Sequence, residues 1–535
     1  MNSVADEIDS PRAEWRMLHS CIKSEITTMI GASFTTTLAR LIAAVAFFGA
    51  LSTGTVLAAP LTAGVAKIDI TNVDAGPVND RLWVKALVIK SEATTAVLIT
   101  VDAVAIGEIG YIKNDYLPKI RARLEKDLGI PSAHVLVNAS HCHGVVCEDV
   151  DQRTIQAVTL ATQNMVPVHV GAGRGHEDRI MENRRLKLKN GKEVDVRHAY
   201  SMPADEDVAE VGPIDPEIGI LRLDRTDGRT LAVIYNFACH PIQGVPGKGN
   251  TADITGFASQ VIEDNLSEGT IALFVQGCGG DINPITYKET HSPRNAETLG
   301  NLLGLSTLKA LRKIPSKSEA GLRLINESLT LPRADLAERI ASLEAEQSKL
   351  LKSLTGTSLN LKTFLPLVVK YKLADEFPSY YSHRYLHEKK LGRDDLTKLD
   401  EENRRNLQQY IDHIQTMEQL TRAQTNLALL KKHQAQNVAA GQRTIDVEVV
   451  GLRIGEFTLV TFPGELTVRI GLNIKQQAPH KLTFVAGYTN GYIYYSPTAE
   501  QLLNVGGAQE DSDCILAPEW QALFESCVTN LLKKL

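Results

Sequence analysis

HVLVNASHCHG, residues 134–144, is the stretch of this sequence that decides the fold. Its apolar first half is typical of a buried β-strand, and His141 and His143 follow the point where that strand would end. In open α/β sheets, ligands bind beyond the ends of the strands. The stretch therefore predicts both a sheet and a functional site at the edge of that sheet.

Other short motifs follow strand-like runs in the same way. They are FACHP at 237–241, GDINP at 280–284, PGE at 463–465 and NGYIYY at 490–495. Catalytic zinc sites use neutral imidazoles and anionic oxygens as ligands and keep one position open. A sheet could bring these strand ends together, and the candidate ligands are His141, His240, Glu465 and Tyr495. Because the tightly spaced His-Glu-x-x-His motif is missing, a structural hydrogen bond stays open as the role of each histidine.

Composition excludes some classes of function. The chain has 535 residues, a net charge of −6 and a hydrophobic content of 43%, which is ordinary for a globular protein. This charge gives no electrostatic reason to expect nucleic acid as a partner. The glycine-rich run at 277–280 lacks the Lys-Ser/Thr of a phosphate loop, and the chain has no Gly-x-Ser-x-Gly motif. Nucleotide binding and serine hydrolysis are therefore not expected.

The N-terminus reads as a targeting segment, residues 1–59. An apolar core at 41–51 follows Arg40 and precedes the small residues Ala58 and Ala59, as in a signal peptide. This core is too short to span a bilayer, which takes about 20 apolar residues. We therefore expect an exported protein, periplasmic or secreted, cleaved near Ala58-Ala59. Translation from Met1 or from Met29 stays open.

The cysteines leave two questions open. Six of the seven lie beyond the targeting segment, too few in so long a chain for a disulfide scaffold. Cys142 and Cys239 each neighbour a candidate ligand and could bind zinc themselves as thiolates. Cys514 and Cys527 could form a disulfide with each other.

The pattern along the chain is α/β, with a mixed central β-sheet covered by helices. We expect a first catalytic part at 60–331, a helical insertion at 332–443 and a second catalytic part at 444–535. Residues 86–89 and 96–101 predict a hairpin of buried strands, and residues 109–128 have helical periodicity. Uniformly apolar strands indicate a sheet covered on both faces.

The insertion at 332–443 has helical spacing of leucines at both ends, which predicts two long antiparallel amphipathic helices. An aromatic stretch lies between them: Phe364, Tyr371, Phe377, Tyr380, Tyr381 and Tyr385. The insertion is either a helical hairpin that packs on the core or a lid over an apolar substrate.

Taken in order, these motifs resemble the catalytic domain of the neutral/alkaline, non-lysosomal ceramidase family. The resemblance runs from about residue 63 to the end of the chain and adds residues 63–71 and Asn183-Arg184 to the motifs above. It implies a zinc-dependent amidase with one zinc per chain, held by His141, His240, Glu465 and Tyr495. It also implies that metal-activated water attacks an N-acyl sphingosine or a related N-acyl lipid.

The resemblance implies roles for further residues. His143 would stabilise the oxyanion or carry a proton to the leaving amine. Arg184 would orient a polar headgroup or stabilise negative charge, and Tyr492 would contact the substrate. Asn283 would be a catalytic residue that orients water. A peripheral contact with a membrane is compatible with such a substrate.

Three departures from the family pattern bear on the substrate. Asn283 replaces a serine that has an active-site role in the family, and an amide is no nucleophile, which leaves metal-activated water as the mechanism. A tyrosine of the family is replaced near Gly506-Gly507-Ala508. A C-terminal immunoglobulin-like domain is not expected. The alternatives are a zinc hydrolase for another amide or an ester, and a non-catalytic binding protein that retains the fold.

Overall fold

The computed structural model describes residues 61–196, 203–244, 250–287, 295–372, 383–504 and 507–535. The predicted targeting segment 1–59 and its cleavage site lie outside the described residues. So do Gly506 and three of the aromatic residues of the insertion: Phe377, Tyr380 and Tyr381.

An eight-stranded mixed sheet forms the centre of the fold. Strands are numbered in chain order, and their order across this sheet is β12 (Ile271–Gln276), β11 (Thr230–Phe237), β10 (Glu217–Arg225), β5 (Val166–His176), β1 (Thr62–Asp69), β2 (Trp83–Lys90), β3 (Thr95–Val101) and β4 (Val135–Ala139). Neighbours are antiparallel except for the parallel pairs β3–β4 and β11–β12. The predicted hairpin is confirmed as β2 and β3, whose register pairs Leu87 with Leu98.

A second sheet packs on the first. Its order is β14 (Leu322–Pro332), β15 (Thr444–Ile454), β16 (Phe457–Thr461) and β18 (Leu482–Ala486). Alternate side chains of the large sheet, such as Leu98 and Ile234, meet Leu459 and Phe484 of this second sheet in one buried cluster. The intervening side chains, such as Val233, face helices instead. Both faces of the large sheet are therefore covered, which explains its continuous apolar strands.

Helices cover the outer faces of the two sheets and form the insertion. They are α1 (Tyr116–Leu128), α2 (Val150–Gln163), α3 (Asp253–Asp264), α4 (Ala296–Leu311), α5 (Ala337–Ser353), α6 (Leu361–Lys372), α7 (His383–Lys390), α8 (Asp395–Ala439), α9 (Val468–Gln477), α10 (Ala499–Leu502) and α11 (Trp520–Lys534). The α/β class predicted from the sequence is confirmed. None of the helices in the described residues is long and apolar enough to cross a membrane.

The helix predicted at 109–128 is wrong over its first seven residues, because α1 begins only at Tyr116. Just before it, Gly107, Glu108 and Gly110 have φ values of 99°, 59° and 76°. A right-handed helix cannot include positive φ values, so the chain turns here in spite of its apolar periodicity.

The two long helices predicted in the insertion are α5 and α8, and they are antiparallel. The backbone N–H of Leu336 donates to Gln434 at 2.7 Å, whereas Thr355, at the other end of α5, bonds Gln409 at 3.0 Å. Leu343, Leu427 and Leu430 form the buried seam. Because α8 has 45 residues, it is about 67 Å long at 1.5 Å per residue.

The large sheet curls so that its two edge strands approach each other. The side-chain oxygen of Asn138, in β4, accepts a hydrogen bond of 2.9 Å from the backbone N–H of Gln276, in β12. Three small sheets extend this region: β6 (Met181–Asn183) with β13 (Ile282–Pro284), β17 (Glu465–Leu466) with β19 (Tyr495–Ser496), and β7 (Arg185–Leu188) with β8 (Glu193–Asp195) and β9 (Val208–Val211). Curling brings the ends of β4 and β11 together although five strands separate them in the sheet order.

Candidate metal centre

The candidate ligands lie at or just beyond the ends of β-strands. His141 follows β4 in a left-handed conformation, with φ 68°, and its N–H donates to Ala103 O at 2.9 Å. A non-glycine residue in this region costs about 1–3 kcal/mol and persists only where its surroundings impose it. His240 follows β11, while Glu465 and Tyr495 face each other as partners in the β17–β19 pair. The site is therefore built by strand ends of the large sheet together with the small β17–β19 sheet, not by one sheet edge alone.

Backbone carbonyls orient the two imidazoles. The Nδ1 atoms of His141 and His240 lie 2.5 Å from Val104 O and 3.0 Å from Ile282 O. A carbonyl only accepts, so each Nδ1 carries the proton and each Nε2 is left with a lone pair. Both Nε2 atoms point at Glu465, at 3.5 Å and 3.2 Å from its Oε2. This is the tautomer that a metal ligand requires.

The protonation states also suit a metal. Burial lowers the pKa of His141 to about 4 against the opposing charge of Glu465, so the imidazole is neutral at pH 7. Burial works against ionisation of Glu465, but the adjacent His141 and His240 and a hydrogen bond from Tyr492 outweigh it and hold its pKa below the ordinary value. Two tyrosines donate to this carboxylate: Tyr488 to Oε2 at 3.2 Å, and Tyr492 to Oε1.

The distances between these donor atoms fit a tetrahedral ion. Ligand atoms of His141, His240 and Glu465 all lie within 4.8 Å of one another, and all three residues are buried. The hydroxyl of Tyr495 is 3.4 Å from His240 Nε2. A tetrahedral zinc with bonds of about 2.0 Å needs ligand atoms about 3.3 Å apart. Three of the separations, from Glu465 to each imidazole and from Tyr495 to His240, are 3.2–3.5 Å and match this requirement.

A cavity of about 260 Å³ opens onto these four residues. Its other lining residues are Val104, Ile109, His143, Arg184, Ile242, Tyr287, Tyr492, Gln509 and Asp513. His143 is exposed, and its ring centroid lies 5.8 Å from that of His141. The cavity thus combines apolar walls with polar groups that converge on the candidate ligands, as small-molecule sites do.

Arg184 joins several parts of the site. Its guanidinium donates to Glu510 at 2.7 Å, to Asn283 Oδ1 at 3.0 Å and to the Tyr495 hydroxyl at 3.2 Å. Asn283 is fully buried, and its Nδ2 has no hydrogen-bond partner among the described residues. Asn283 thus reaches the site through Arg184.

The structure brings all eight candidate residues of the sequence into one region: seven line the cavity, and Asn283 bonds Arg184. The cysteines are not part of the metal group: Cys142 belongs to the hydrophobic core, and Cys239 packs against the α3–α4 side of the sheet. All six described cysteines are free thiols, so the possible Cys514–Cys527 disulfide is not formed.

Sequence reasoning missed Tyr488, Glu510 and Asp513. Tyr488 lies between Gly487 and Thr489, and nothing in this part of the sequence marks it as a hydrogen-bond partner of Glu465. Glu510 and Asp513 follow Ala508, the point at which the sequence departs from the family pattern, and that departure was the available signal.

Comparison with known proteins gives one structural result. No protein-family model matches the sequence, and no curated protein does either. A solved structure described as ceramidase complexed with C2 matches with a TM-score of 0.56 and 16% identity, and neutral ceramidase from Pseudomonas aeruginosa matches with 0.55 and 17%. Each match covers 89% of this chain and 75% of the other. This chain has the neutral ceramidase fold. The resemblance inferred from the motifs is thereby confirmed at the level of the fold.

The comparison does not test the candidate residues. The aromatic stretch of the insertion is placed by its contacts. Tyr371 bonds Asp400, near the start of α8, whereas His433, near its end, bonds Asp513 of the cavity. The 33 residues between them span about 50 Å of helix. Tyr371 therefore does not cover the cavity, which argues against the lid for the described part of the stretch.

Proposed function

We propose that this protein is a zinc-dependent hydrolase of the neutral ceramidase type. Its substrate would be the amide bond of an N-acyl sphingosine or a related N-acyl lipid. The observation that carries the proposal is the buried group of His141, His240 and Glu465, with Tyr495 beside it, at the base of a cavity. The ceramidase fold supports the choice of reaction.

The donor set fits one zinc ion: two neutral imidazoles, one ionised carboxylate and one phenol, with a cavity on the open side. Bound there, zinc supplies a Lewis acid that polarises a carbonyl and lowers the pKa of water. Tyr488 and Tyr492 hold Glu465 in its ligating orientation, and the carbonyls of Val104 and Ile282 hold the imidazoles.

Two residues of the cavity wall have roles in the chemistry. His143, exposed at the cavity, can give a proton to the leaving amine, because an imidazole changes its charge near neutral pH. Arg184 cannot act as a base. It orients the Tyr495 hydroxyl and stabilises negative charge that develops on the substrate carbonyl oxygen.

Export from the cytoplasm and a peripheral contact with a membrane belong to the same proposal. The signal-peptide pattern of residues 1–59 supports export, and the expected lipid substrate supports the membrane contact. A zinc hydrolase for an ester or another amide is the alternative within the same class. A binding protein without catalysis is the alternative outside it.

The test is hydrolysis by the zinc-loaded protein of a panel of N-acyl sphingosines, N-acyl amino acids and esters. We expect turnover of the N-acyl sphingosines, and we expect Glu465→Gln to lose both zinc and turnover. Glu456→Gln, at an exposed residue, is the matched control and should retain both. Full activity of metal-free protein would overturn the mechanism. Zinc-loaded protein that binds the amides without turnover would establish the binding protein.

A further inference from the structure

Asp513 is a charged residue of the cavity wall that the proposed reaction leaves without a role. Its backbone is fixed on both sides, because its carbonyl accepts from the Tyr495 N–H at 3.0 Å and its N–H donates to Gln509 O at 2.9 Å. The neighbouring Cys514 forms a β-bridge with Tyr494. The carboxylate therefore has a fixed position next to the strand that carries Tyr495.

The helical insertion holds this carboxylate through His433 of α8. The His433 side chain is fully buried, and its Nε2 lies 2.6 Å from Asp513 Oδ1. Its Nδ1 lies 2.8 Å from Gln436 Oε1, and Gln436 Nε2 donates to the Tyr494 hydroxyl at 2.9 Å. That hydroxyl donates in turn to Glu108 at 3.2 Å. His433 thus has an oxygen acceptor opposite each ring nitrogen, and the network runs from α8 into the cavity wall.

One oxygen of Asp513 remains for a ligand. His433 takes Oδ1, while no hydrogen bond to Oδ2 is recorded among the described residues. The side chain lines the cavity and is 16% exposed. A cavity of 260 Å³ is only about 8 Å across if spherical, and Asp513 and the candidate ligands line the same cavity.

Arg184 donates to the hydroxyl of Tyr495, one of the candidate ligands, at 3.2 Å, which assigns it to the carbonyl oxygen of the substrate and not to the amine half. Its charge is shared with the fully buried Glu510, which accepts from it at 2.7 Å. A carboxylate on the substrate would instead meet Asp513 inside a small cavity, where repulsion between like charges is strong. Hydroxyl or ammonium groups on the substrate would find an acceptor there.

We propose that Asp513, positioned by His433, accepts hydrogen bonds from the amine half of the substrate. The cavity then selects amides whose amine half carries hydroxyl or ammonium groups and rejects those with a carboxylate in that place. This inference rests on the proposed amidase function. It gives the insertion a role in specificity, because α8 supplies the residue that holds Asp513.

Three dodecanoyl amides of nearly equal size test this specificity: N-dodecanoyl-ethanolamine, N-dodecanoyl-propylamine and N-dodecanoyl-glycine. Their amine halves end in a hydroxyl, a methyl and a carboxylate. We expect kcat/KM of the zinc-loaded protein to favour the hydroxyl over the methyl by about tenfold, the effect of one hydrogen bond to a charged group. The glycine amide should be the poorest substrate.

Asp513→Asn should reduce the preference for the hydroxyl, because a neutral amide binds a hydroxyl more weakly than a carboxylate does, and it should relax the rejection of the carboxylate. Its kcat/KM for the propylamine amide, which has no hydroxyl to bind, should fall less than its kcat/KM for the ethanolamine amide. His433→Leu should weaken the same preference through a higher KM for the ethanolamine amide, whereas His433→Gln, which keeps a donor, should restore it. Zinc content and thermal unfolding of each variant show whether the site and the fold are intact.

An unchanged preference in zinc-loaded, folded Asp513→Asn would overturn the assignment of Asp513. An unchanged preference in His433→Leu would overturn the positioning role. If none of the three amides is hydrolysed, the amidase function fails for this class, and calorimetric Kd values for the same compounds still decide the role of Asp513. Equal Kd values for the hydroxyl and methyl compounds would reject it.

Discussion

At the scale of single residues, the site depends on groups that hold the candidate ligands. Each imidazole is oriented by a backbone carbonyl, and Glu465 accepts hydrogen bonds from two tyrosines. The sequence motifs identified the candidate ligands, because histidines and the Pro-Gly-Glu motif directly follow strand-like apolar runs in the sequence. They could not identify Tyr488 or His433, whose partners lie 23 and 80 residues away.

Removing one of the supporting hydroxyls should weaken metal binding without abolishing it. We expect Tyr492→Phe to lower zinc affinity by about tenfold to hundredfold, because the residues that orient ligands have effects of this size. Competition with a zinc chelator measures the affinity. Tyr111→Phe, at an exposed tyrosine, should leave it unchanged. Equal affinity in Tyr492→Phe and the control would show that this hydroxyl does not orient Glu465.

Replacing only one partner of the buried ion pair between Arg184 and Glu510 should lower the stability of the protein. Arg184→Met leaves Glu510 buried without its cation, so we expect a loss of about 3–5 kcal/mol in the free energy of unfolding. Adding Glu510→Gln should recover part of this loss. Urea denaturation measures both variants, and a double variant no more stable than Arg184→Met would contradict the account.

Asp253 should make stability depend on pH. Burial raises its pKa to about 6, although the backbone N–H groups of Gln243, Gly244 and Ile254 donate to it. The folded protein therefore binds a proton at Asp253 more tightly than the unfolded chain does. Stability from this group is fully present below about pH 4 and is lost as the pH rises through 6.

Comparison with Asp253→Asn isolates the pH dependence of stability that Asp253 causes, because the asparagine side chain does not titrate. Between pH 4 and pH 7, the wild-type protein should lose about 3 kcal/mol of unfolding free energy relative to the variant, the equivalent of a shift of about two pKa units. Urea denaturation at several pH values measures the difference. A difference that is constant with pH would mean that Asp253 has an ordinary pKa in the fold.

At the scale of elements, the sequence predicted strands better than helix ends. Apolar runs such as β11 and β12 are unambiguous, because a sheet covered on both faces needs them. The start of α1 was missed because the positive φ values at 107–110 depend on local geometry that periodicity does not record. The antiparallel helices of the insertion were predictable from their spaced leucines, but their contact with the cavity through His433 was not.

The stability of the insertion should depend on the buried leucines between α5 and α8. Leu430 of α8 is fully buried against α5, and we expect Leu430→Ala to lower the free energy of unfolding by about 3 kcal/mol. Met417 lies on the same helix but is 60% exposed, so Met417→Ala should cost no more than about 0.5 kcal/mol. Similar losses in the two variants would show that α5 and α8 do not pack as described.

At the scale of the whole molecule, the curled sheet creates the site. His141 and His240 follow strands that lie far apart in the sheet order, and the bond between Asn138 and Gln276 closes that separation. The sequence predicted that strand ends would meet, but it did not predict that a separate two-stranded sheet, β17 with β19, would supply Glu465 and Tyr495. The chain shares the neutral ceramidase fold at only 16–17% identity.

The central claim is that one zinc ion is bound where these strands meet. Anomalous X-ray scattering, recorded above and below the zinc absorption edge on crystals of the purified protein, tests it most directly. We expect one zinc peak per chain, within bonding distance of His141, His240 and Glu465 and absent from Glu465→Gln. Fully active protein with no zinc peak at these residues, or with its zinc elsewhere, would rule out this metal site.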